Sequence, residues 1–267
     1  DERIVARWDE YVPKHLLPRL YGFELMMASY AICHLKLSFK LGETGYHFGS
    51  SDRLHVHLTN TLDEPSASAN PKLAGLFETL AEQAREVDSI KRSMRFTVLL
   101  GNPPYSASVS DPPWLVRELE PWKEGLNEQK IDLNREEWKF VRFAQLLAER
   151  VPCFIWGYIV NRDFLDGIAK RRMRESLQGT YPARVVVDLN GDVKGNIVDE
   201  NVFDIIQGVC VTVACHGGRT QGHRFASIVG SRQEKYALLL EPAKVDALLT
   251  PHVPTEPYFR WIPFRDA

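Results

Sequence analysis

The sequence Gly-Asn-Pro-Pro-Tyr-Ser at residues 101–106 follows directly after an apolar run at residues 96–100. An aliphatic and β-branched run that ends at a glycine and two prolines is typical of a buried strand that stops in a rigid loop. The prolines fix φ and remove two backbone donors, so the Pro103 carbonyl is a pure acceptor in a stiff frame. Asn102 adds a side-chain acceptor and Tyr105 a flat ring. The sequence therefore predicts a binding loop at a strand's carboxyl end, where open α/β sheets hold their ligands.

Two acceptors beside an aromatic ring suit the amino group of a planar base. The amino nitrogen of adenine is a poor nucleophile because its lone pair is delocalised into the ring. Hydrogen bonds from its two N–H groups to the Asn102 amide oxygen and the Pro103 carbonyl favour a pyramidal nitrogen, with its lone pair aimed at an incoming methyl group. Tyr105 would stack on the base and hold it outside the duplex. From the residues alone, an ordinary strand-ending turn remains the alternative.

The loop and four further segments resemble those of the amino-group DNA methyltransferases that use S-adenosylmethionine. Within that family they look like the methyltransferase portion of single-polypeptide, type ISP restriction-modification enzymes, over residues 10–245. The resemblance implies a Rossmann-like α/β sheet with helices on both faces, S-adenosylmethionine as cofactor and methylation of adenine N6 in double-stranded DNA. It also implies nuclease, helicase-like and target-recognition domains on the same longer polypeptide. The four segments are residues 16–25, 58–62, 138–145 and 199–205.

The same resemblance assigns roles to single residues. Asn102, Pro103, Pro104 and Tyr105 would form the catalytic loop, and no metal is expected. Phe203 lies in a polar loop between two predicted strands and would stack on the flipped base opposite Tyr105. The alternative for Phe203 is an apolar anchor that packs its own loop inward.

Two other strand ends carry the predicted cofactor site. By resemblance Glu24 binds the ribose of S-adenosylmethionine, Leu25 packs on its adenine and Asn60 hydrogen-bonds that adenine, although the family more often has Asp at this last position. Glu24 as a cap of the next helix and Asn60 as a turn former are the alternatives. Asn161 and Phe164, after a further apolar run, are candidates for the target-base pocket.

Apolar runs alternate with amphipathic stretches along the chain, which predicts a mostly parallel sheet with helices on both faces. The methyltransferase domain is expected over residues 1–222, and residues 223–267 as the start of a target-recognition or linker region with strands at 236–240 and 258–262. The predicted strands of the domain are 19–24, 54–59, 96–101, 152–160, 184–189 and 208–215, and the helices are 3–16, 27–41, 72–92, 113–122, 135–150 and 166–178.

No Gly-rich turn precedes Glu24, although this class of fold needs one for the methionine end of the cofactor. The sequence therefore predicts an N-terminally incomplete fragment that lacks the first strand and binds the cofactor weakly by itself. A catalytically silent remnant that binds DNA or a partner is accordingly one alternative. An N-methyltransferase that acts on RNA or on protein glutamine is another, because such enzymes share the Asn-Pro-Pro-Tyr loop.

Composition is consistent with a globular domain and excludes little. The formal net charge of −2 is unusual for a chain that binds DNA by itself. Basic clusters such as residues 170–174 are therefore the candidates for phosphate contacts. Four cysteines without metal-type spacing indicate reduced residues and a cytoplasmic protein. No apolar run reaches the roughly 18 residues of a membrane span, and no membrane partner is expected.

Overall fold

The computed structural model describes residues 2–50, 52–64, 78–105, 111–191 and 199–263. The chain divides into two compact units, unit 1 at Asp1–Met94 and unit 2 at Arg95–Ala267. None of the helices within these described ranges is long and apolar enough to cross a membrane.

Unit 1 holds two parallel strands, with Tyr21 opposite His55 and Glu24 opposite Leu58. Its apolar core is formed by Val12, Leu17, Leu41, Tyr46, Leu54 and Val56. A π-helical turn and a 3-10 turn at Val12–Leu16 and Leu17–Arg19 lead into the first strand. The predicted helix 72–92 begins in residues that lie outside the described ranges. The elements are α1 (Glu2–Tyr11), β1 (Tyr21–Glu24), α2 (Met27–Glu43), β2 (His55–Leu58) and α3 (Glu78–Ser93).

Unit 2 is built on a six-stranded sheet. Within its described residues, two helices lie between the first and second strands, two between the second and third strands, and two short helices follow the fifth strand. The elements are β3 (Val98–Gly101), α4 (Pro113–Lys123), α5 (Glu136–Ala148), β4 (Phe154–Asn161), α6 (Asp163–Asp166), α7 (Arg171–Thr180), β5 (Ala183–Asp188), β6 (Val209–His216), β7 (Gly222–Ser227), α8 (Arg232–Leu239), α9 (Pro242–Leu248) and β8 (Thr250–Pro251).

The sheet of unit 2 is mixed, so the expectation of a mostly parallel sheet is met only in part: β3, β4, β5 and β7 run in one direction, and β6 and β8 run in the other. The strand order is β3-β4-β6-β5-β7-β8. The pairs β3–β4 and β5–β7 are parallel, whereas β6 runs antiparallel to both of its neighbours and β8 runs antiparallel to β7. An apolar run reads alike in both directions, so the pattern along the chain carries no information on strand direction. The protein is therefore a mixed α/β structure.

The region after residue 222 belongs to the same sheet and core. The expected boundary at residue 223 lies inside β7, which pairs with β5 in parallel. The predicted strand at 236–240 is wrong, because these residues continue or directly follow α8. The Ser231 hydroxyl accepts from the backbone N–H of Glu234, and the Glu234 carboxylate accepts from that of Ser231, which is a capping box that starts a helix. The predicted strand at 258–262 forms turns.

Large aromatic side chains fill the core of unit 2. Phe164 is fully buried, with its ring centroid 6.0 Å from that of Trp138 and 4.8 Å from that of Trp261. The hypothesis that Phe164 lines a target-base pocket is therefore wrong. The five residues Trp122, Trp138, Trp156, Phe164 and Trp261 are all at most 1% exposed.

Two of the four basic residues at 170–174 are buried, namely Lys170 and Arg174. Arg174 is fully buried and donates to the carbonyl oxygens of Phe164, Gly167, Tyr258 and Phe259. Lys170 is also buried and pairs with Asp132 and Asp163. These two cations stabilise the fold, and the idea that they contact phosphate is wrong.

Candidate functional site

The Asn-Pro-Pro-Tyr loop begins where β3 ends, as the sequence predicts. Gly101 is the last residue of this strand and lies opposite Tyr158 of β4. A Cβ at Gly101 would lie 2.9 Å from Tyr158 Cε1, closer than van der Waals contact allows. Glycine is therefore required here by the close approach of the aromatic ring, and its backbone leads directly into Asn102.

The loop presents its residues to different surroundings. Asn102 and Pro104 are exposed, Pro103 is buried and Tyr105 is half-buried. The Tyr105 hydroxyl lies 2.9 Å from Asn102 Oδ1 and 3.1 Å from the Ile159 carbonyl oxygen, and donates its hydrogen to one acceptor at a time. A carboxamide oxygen has two lone pairs, so Asn102 Oδ1 can still accept from a second donor. Tyr105 thus orients the Asn102 side chain and ties the loop to β4.

Tyr105 and Phe203 pack against one apolar cluster. Both rings are half-buried, and burial raises the pKa of the Tyr105 phenol, so the hydroxyl stays protonated as a donor. Because neither ring is fully buried, the stacking of a base on Tyr105 and Phe203 stays a prediction. The buried members of the cluster are Val187, Leu189, Val202, Val209 and Ile228.

The loop that carries Phe203 is held by hydrogen bonds to its backbone. Asn201 Oδ1 accepts from the Phe203 N–H at 2.9 Å, while its Nδ2 donates to the Gln207 carbonyl at 2.7 Å. Arg232 of α8 donates to the carbonyl oxygens of Asn201 at 2.9 Å and Phe203 at 3.2 Å. The backbone that carries the Phe203 ring is therefore fixed by hydrogen bonds. The sequence pattern gave no sign of Arg232, because this residue lies about thirty residues further along the chain.

A buried lysine fixes the base of this loop. Lys235 is fully buried, and its Nζ lies 2.7 Å from Asp199 Oδ1 and donates to the carbonyl oxygens of Leu189 and Glu200, each at 2.6 Å. Asp199 also accepts from the backbone N–H groups of Gly191 and Gly230. The lysine links the ends of β5 and of the Phe203 loop to α8.

Arg135, directly before α5, contacts both the Asn-Pro-Pro-Tyr loop and a buried acid of that helix. Arg135 donates to the Tyr105 carbonyl oxygen at 3.1 Å. Its Nε lies 3.0 Å from Glu137 Oε1, an ion pair without hydrogen-bond geometry. Glu137 is fully buried, and burial raises the pKa of its carboxyl from 4.5 to about 7, against the opposing charges of Arg135 and Lys170. Sequence reasoning missed this pair because two acids in the first turn of a helix have an ordinary capping role.

Asn161 at the end of β4 serves local structure. Its Oδ1 accepts from the Asp163 N–H at 2.9 Å, and its Nδ2 donates to Gln207 Oε1 at 3.0 Å. The residue therefore fixes the turn between β4 and α6 and contacts the end of the Phe203 loop.

In unit 1 the predicted cofactor residues lie at the same end of the two parallel strands. The Thr59 N–H donates to the Glu24 carbonyl oxygen at 2.8 Å, so the segments after β1 and β2 are adjacent. Glu24 Oε1 accepts from the Met26 N–H at 2.8 Å, directly before α2. Leu25 is 60% exposed, so its side chain is free to pack against a ligand.

Asn60 acts as a turn former in this structure. Its Oδ1 accepts from the Leu62 N–H at 3.1 Å, and its Nδ2 donates to Asp63 Oδ1 at 2.9 Å. Lys91 of α3 donates to the Asn60 carbonyl oxygen at 2.6 Å. One Nδ2 hydrogen and one Oδ1 lone pair of Asn60 remain for other contacts, because a carboxamide has four hydrogen-bonding positions.

The chain is similar in structure to three large DNA-bound proteins. It superposes on the ATP-dependent Type ISP restriction-modification enzyme LlaBIII bound to DNA with a TM-score of 0.75 at 19% identity, over 100% of this chain and 19% of that one. For a DrdV–DNA complex the TM-score is 0.76 at 18% identity, over 98% of this chain and 26% of that one. For a nuclease-deletion mutant of the Type ISP enzyme LlaGI with a DNA substrate mimic it is 0.75 at 16% identity, over 99% and 24%.

These likenesses show that the chain has the fold of the matching regions in those proteins. It spans about a fifth to a quarter of their length. No protein-family model and no curated protein matches the sequence.

Proposed function

We propose that this chain is the methyltransferase region of a restriction-modification enzyme and that it methylates adenine N6 in double-stranded DNA. The observation that carries the proposal is the loop after β3, in which an exposed Asn102 is oriented by the hydroxyl of Tyr105. The shared fold supports it, because the matching regions belong to proteins whose structures contain DNA.

In this mechanism the loop binds the amino group of a flipped adenine. Asn102 Oδ1 and the Pro103 carbonyl accept its two N–H groups, and this geometry directs the nitrogen lone pair toward the methyl donor. Tyr105 contributes in two ways, because its ring offers a face for the base and its hydroxyl holds Asn102 in place. Phe203 covers the opposite face of the base. Stacking on an aromatic side chain contributes about 1–3 kcal/mol per base, which offsets the unstacking of the flipped nucleotide.

S-adenosylmethionine supplies the methyl group in this proposal. The residues of unit 1 fit it in part. Glu24 uses one carboxylate oxygen for the Met26 N–H, and its other oxygen can accept from ribose hydroxyls. The exposed Leu25 suits an adenine ring. Asn60 spends half of its hydrogen-bonding capacity on its own turn, so it contributes at most one donor and one acceptor to the cofactor.

By the resemblance of the sequence to type ISP enzymes, the longer polypeptide would provide nuclease, helicase-like and target-recognition domains. A second candidate function is methylation of RNA or of protein glutamine, and it is favoured by the same loop, since the geometry of Asn102 and Pro103 suits any planar amide or amine.

The deciding experiment measures methyl transfer by the intact, longer polypeptide, because this chain is expected to bind the cofactor weakly by itself. Tritiated S-adenosylmethionine is the donor, and the four acceptors are duplex DNA with adenine, duplex DNA without adenine, RNA and glutamine peptides. We expect label only in adenine-containing DNA. Asn102→Ala should lower the rate by roughly 10²-fold or more, since it removes one positioned group from the reacting centre. Asn134→Ala, at an exposed position in a turn of unit 2, should leave it unchanged. Label in RNA or peptide alone would refute the adenine assignment, and an equal rate for Asn102→Ala would refute the role of the loop.

A further inference from the structure

Three potential metal ligands of unit 1 converge on one face of β2. His55 and His57 are two residues apart on this strand, so their side chains point to the same face. Glu86 of α3 completes the group. One ligand atom from each of the three residues lies within 4.8 Å of the others.

The two imidazoles have nitrogen atoms that are buried and lack partners. His57 is 4% exposed, and its Nε2 has no hydrogen-bond partner within the described part of the chain. The same holds for His55 Nδ1, which lies 4.0 Å from Glu86 Oε1. Buried polar atoms almost always have partners, so two orphaned ring nitrogens that share one carboxylate neighbour require an explanation.

We propose that His55, His57 and Glu86 bind a divalent transition-metal ion such as Zn²⁺. Two imidazole nitrogens and one carboxylate oxygen form a donor set that suits Zn²⁺, Co²⁺, Ni²⁺ or Fe²⁺, whereas Ca²⁺ and Mg²⁺ prefer oxygen donors alone. Each ligand atom then moves toward the common centre, because zinc–nitrogen and zinc–oxygen bonds are about 2.0–2.2 Å long. Three protein ligands leave the remaining coordination position for water or another ligand.

The surroundings favour this role. The ring of Tyr21 stacks on that of His55, with centroids 5.1 Å apart, which limits rotation of the imidazole. Arg53 would compete with the ion for the Glu86 carboxylate, because its guanidinium lies 3.2 Å from Glu86 Oε2. The side chain of Arg53 is 53% exposed and can turn into solvent when the carboxylate binds the ion.

The ion would join a strand to a helix. His55 and Glu86 are separated by thirty residues along the chain, and metal ligation would fasten α3 to β2. Since the ligands come from both elements, metal binding should stabilise unit 1 against unfolding.

The test is direct metal binding by the purified protein after treatment with a chelator. We expect one Zn²⁺ per chain by isothermal titration and by elemental analysis, and visible absorption bands when Co²⁺ is added instead. Glu86→Gln and His55→Gln should each weaken the affinity by about 10–100-fold or more, because removal of a direct ligand exceeds the loss typical of outer-shell changes. Both positions are only half-buried, so these variants should fold.

Two control variants separate this site from incidental binding. His47→Gln, at an exposed histidine of the same unit, should leave the affinity unchanged. Arg53→Gln should bind the ion at least as tightly as the natural protein, because the competing cation is gone. Zn²⁺ should also raise the thermal midpoint of the natural protein but not that of Glu86→Gln. Absence of one-to-one binding, or equal affinity for Glu86→Gln and the natural protein, would overturn the proposal.

Discussion

The buried carboxyl of Glu137 should make the stability of this protein depend on pH in a direction opposite to that of most acidic groups. Burial raises the pKa of this carboxyl from 4.5 to about 7 in the folded state. Between these values the folded protein holds a proton that the unfolded chain has lost. The contribution of Glu137 to the free energy of unfolding therefore falls as the pH rises from about 4.5 to about 7, and is constant outside that window. A pKa difference of this size corresponds to about 3 kcal/mol.

The substitution Glu137→Gln isolates this contribution, because glutamine has almost the same shape and does not titrate. The difference in the free energy of unfolding between the two proteins should change by about 3 kcal/mol between pH 4 and pH 8, in favour of the variant at the higher pH. Urea unfolding followed by tryptophan fluorescence is the appropriate assay, since five of the six tryptophans lie in residues 95–267.

Glu120→Gln provides the matched control, because the Glu120 side chain is 61% exposed on α4. Its difference from the natural protein should change by less than about 1 kcal/mol, which is the most that a surface ion pair usually contributes. If the difference for Glu137→Gln is constant over this range, the Glu137 carboxyl is ionised normally and the reasoning from its burial beside Arg135 is wrong.

Three further substitutions test the loops of unit 2. Tyr105→Phe keeps the ring but removes a hydrogen bond worth about 0.5–1.5 kcal/mol, so methyl transfer in the tritium assay should fall by up to about tenfold; no change would show that the hydroxyl does not orient the loop. Gly101→Ala places a methyl group 2.9 Å from an aromatic ring of β4 and should destabilise unit 2 by about 1–3 kcal/mol in urea, whereas Gly179→Ala, in open space on α7, should be neutral or stabilising. Lys235→Met leaves the carboxylate of Asp199 without its buried partner and should cost about 3–5 kcal/mol; a loss below about 1 kcal/mol, in the range of a surface ion pair, would refute its role as a buried link.

Sequence patterns alone located most of the elements and the candidate loop. The predicted helix at 113–122 and strand at 152–160 agree with α4 and β4 to within two residues. Such elements depend on local apolar periodicity and on proline and glycine as punctuation, and both can be read from neighbouring residues. For the same reason the residues that flank the loop at 102–105 are sufficient to place it at the end of a strand.

Local sequence patterns do not predict contacts between residues that are distant along the chain. The direction of β6 depends on which strands it pairs with, and the burial of Arg174 depends on carbonyl groups about 85 residues further along the chain. A charged residue in an amphipathic helix looks the same whether it faces water or four buried carbonyl oxygens. The sequence pattern therefore suggested a phosphate contact where the folded chain has an internal cross-link.

The chemistry of the sites divides in the same way. The amino-acid sequence determined that two acceptors and a ring follow one another at the end of β3, since adjacent residues and rigid prolines set that arrangement locally. Only the tertiary structure decided that the Tyr105 hydroxyl lies within hydrogen-bond distance of the Ile159 carbonyl oxygen and that Arg135 donates to the Tyr105 carbonyl oxygen. It alone brought His55, His57 and Glu86 together, because a strand and a helix that are thirty residues apart in sequence become neighbours only in the folded chain.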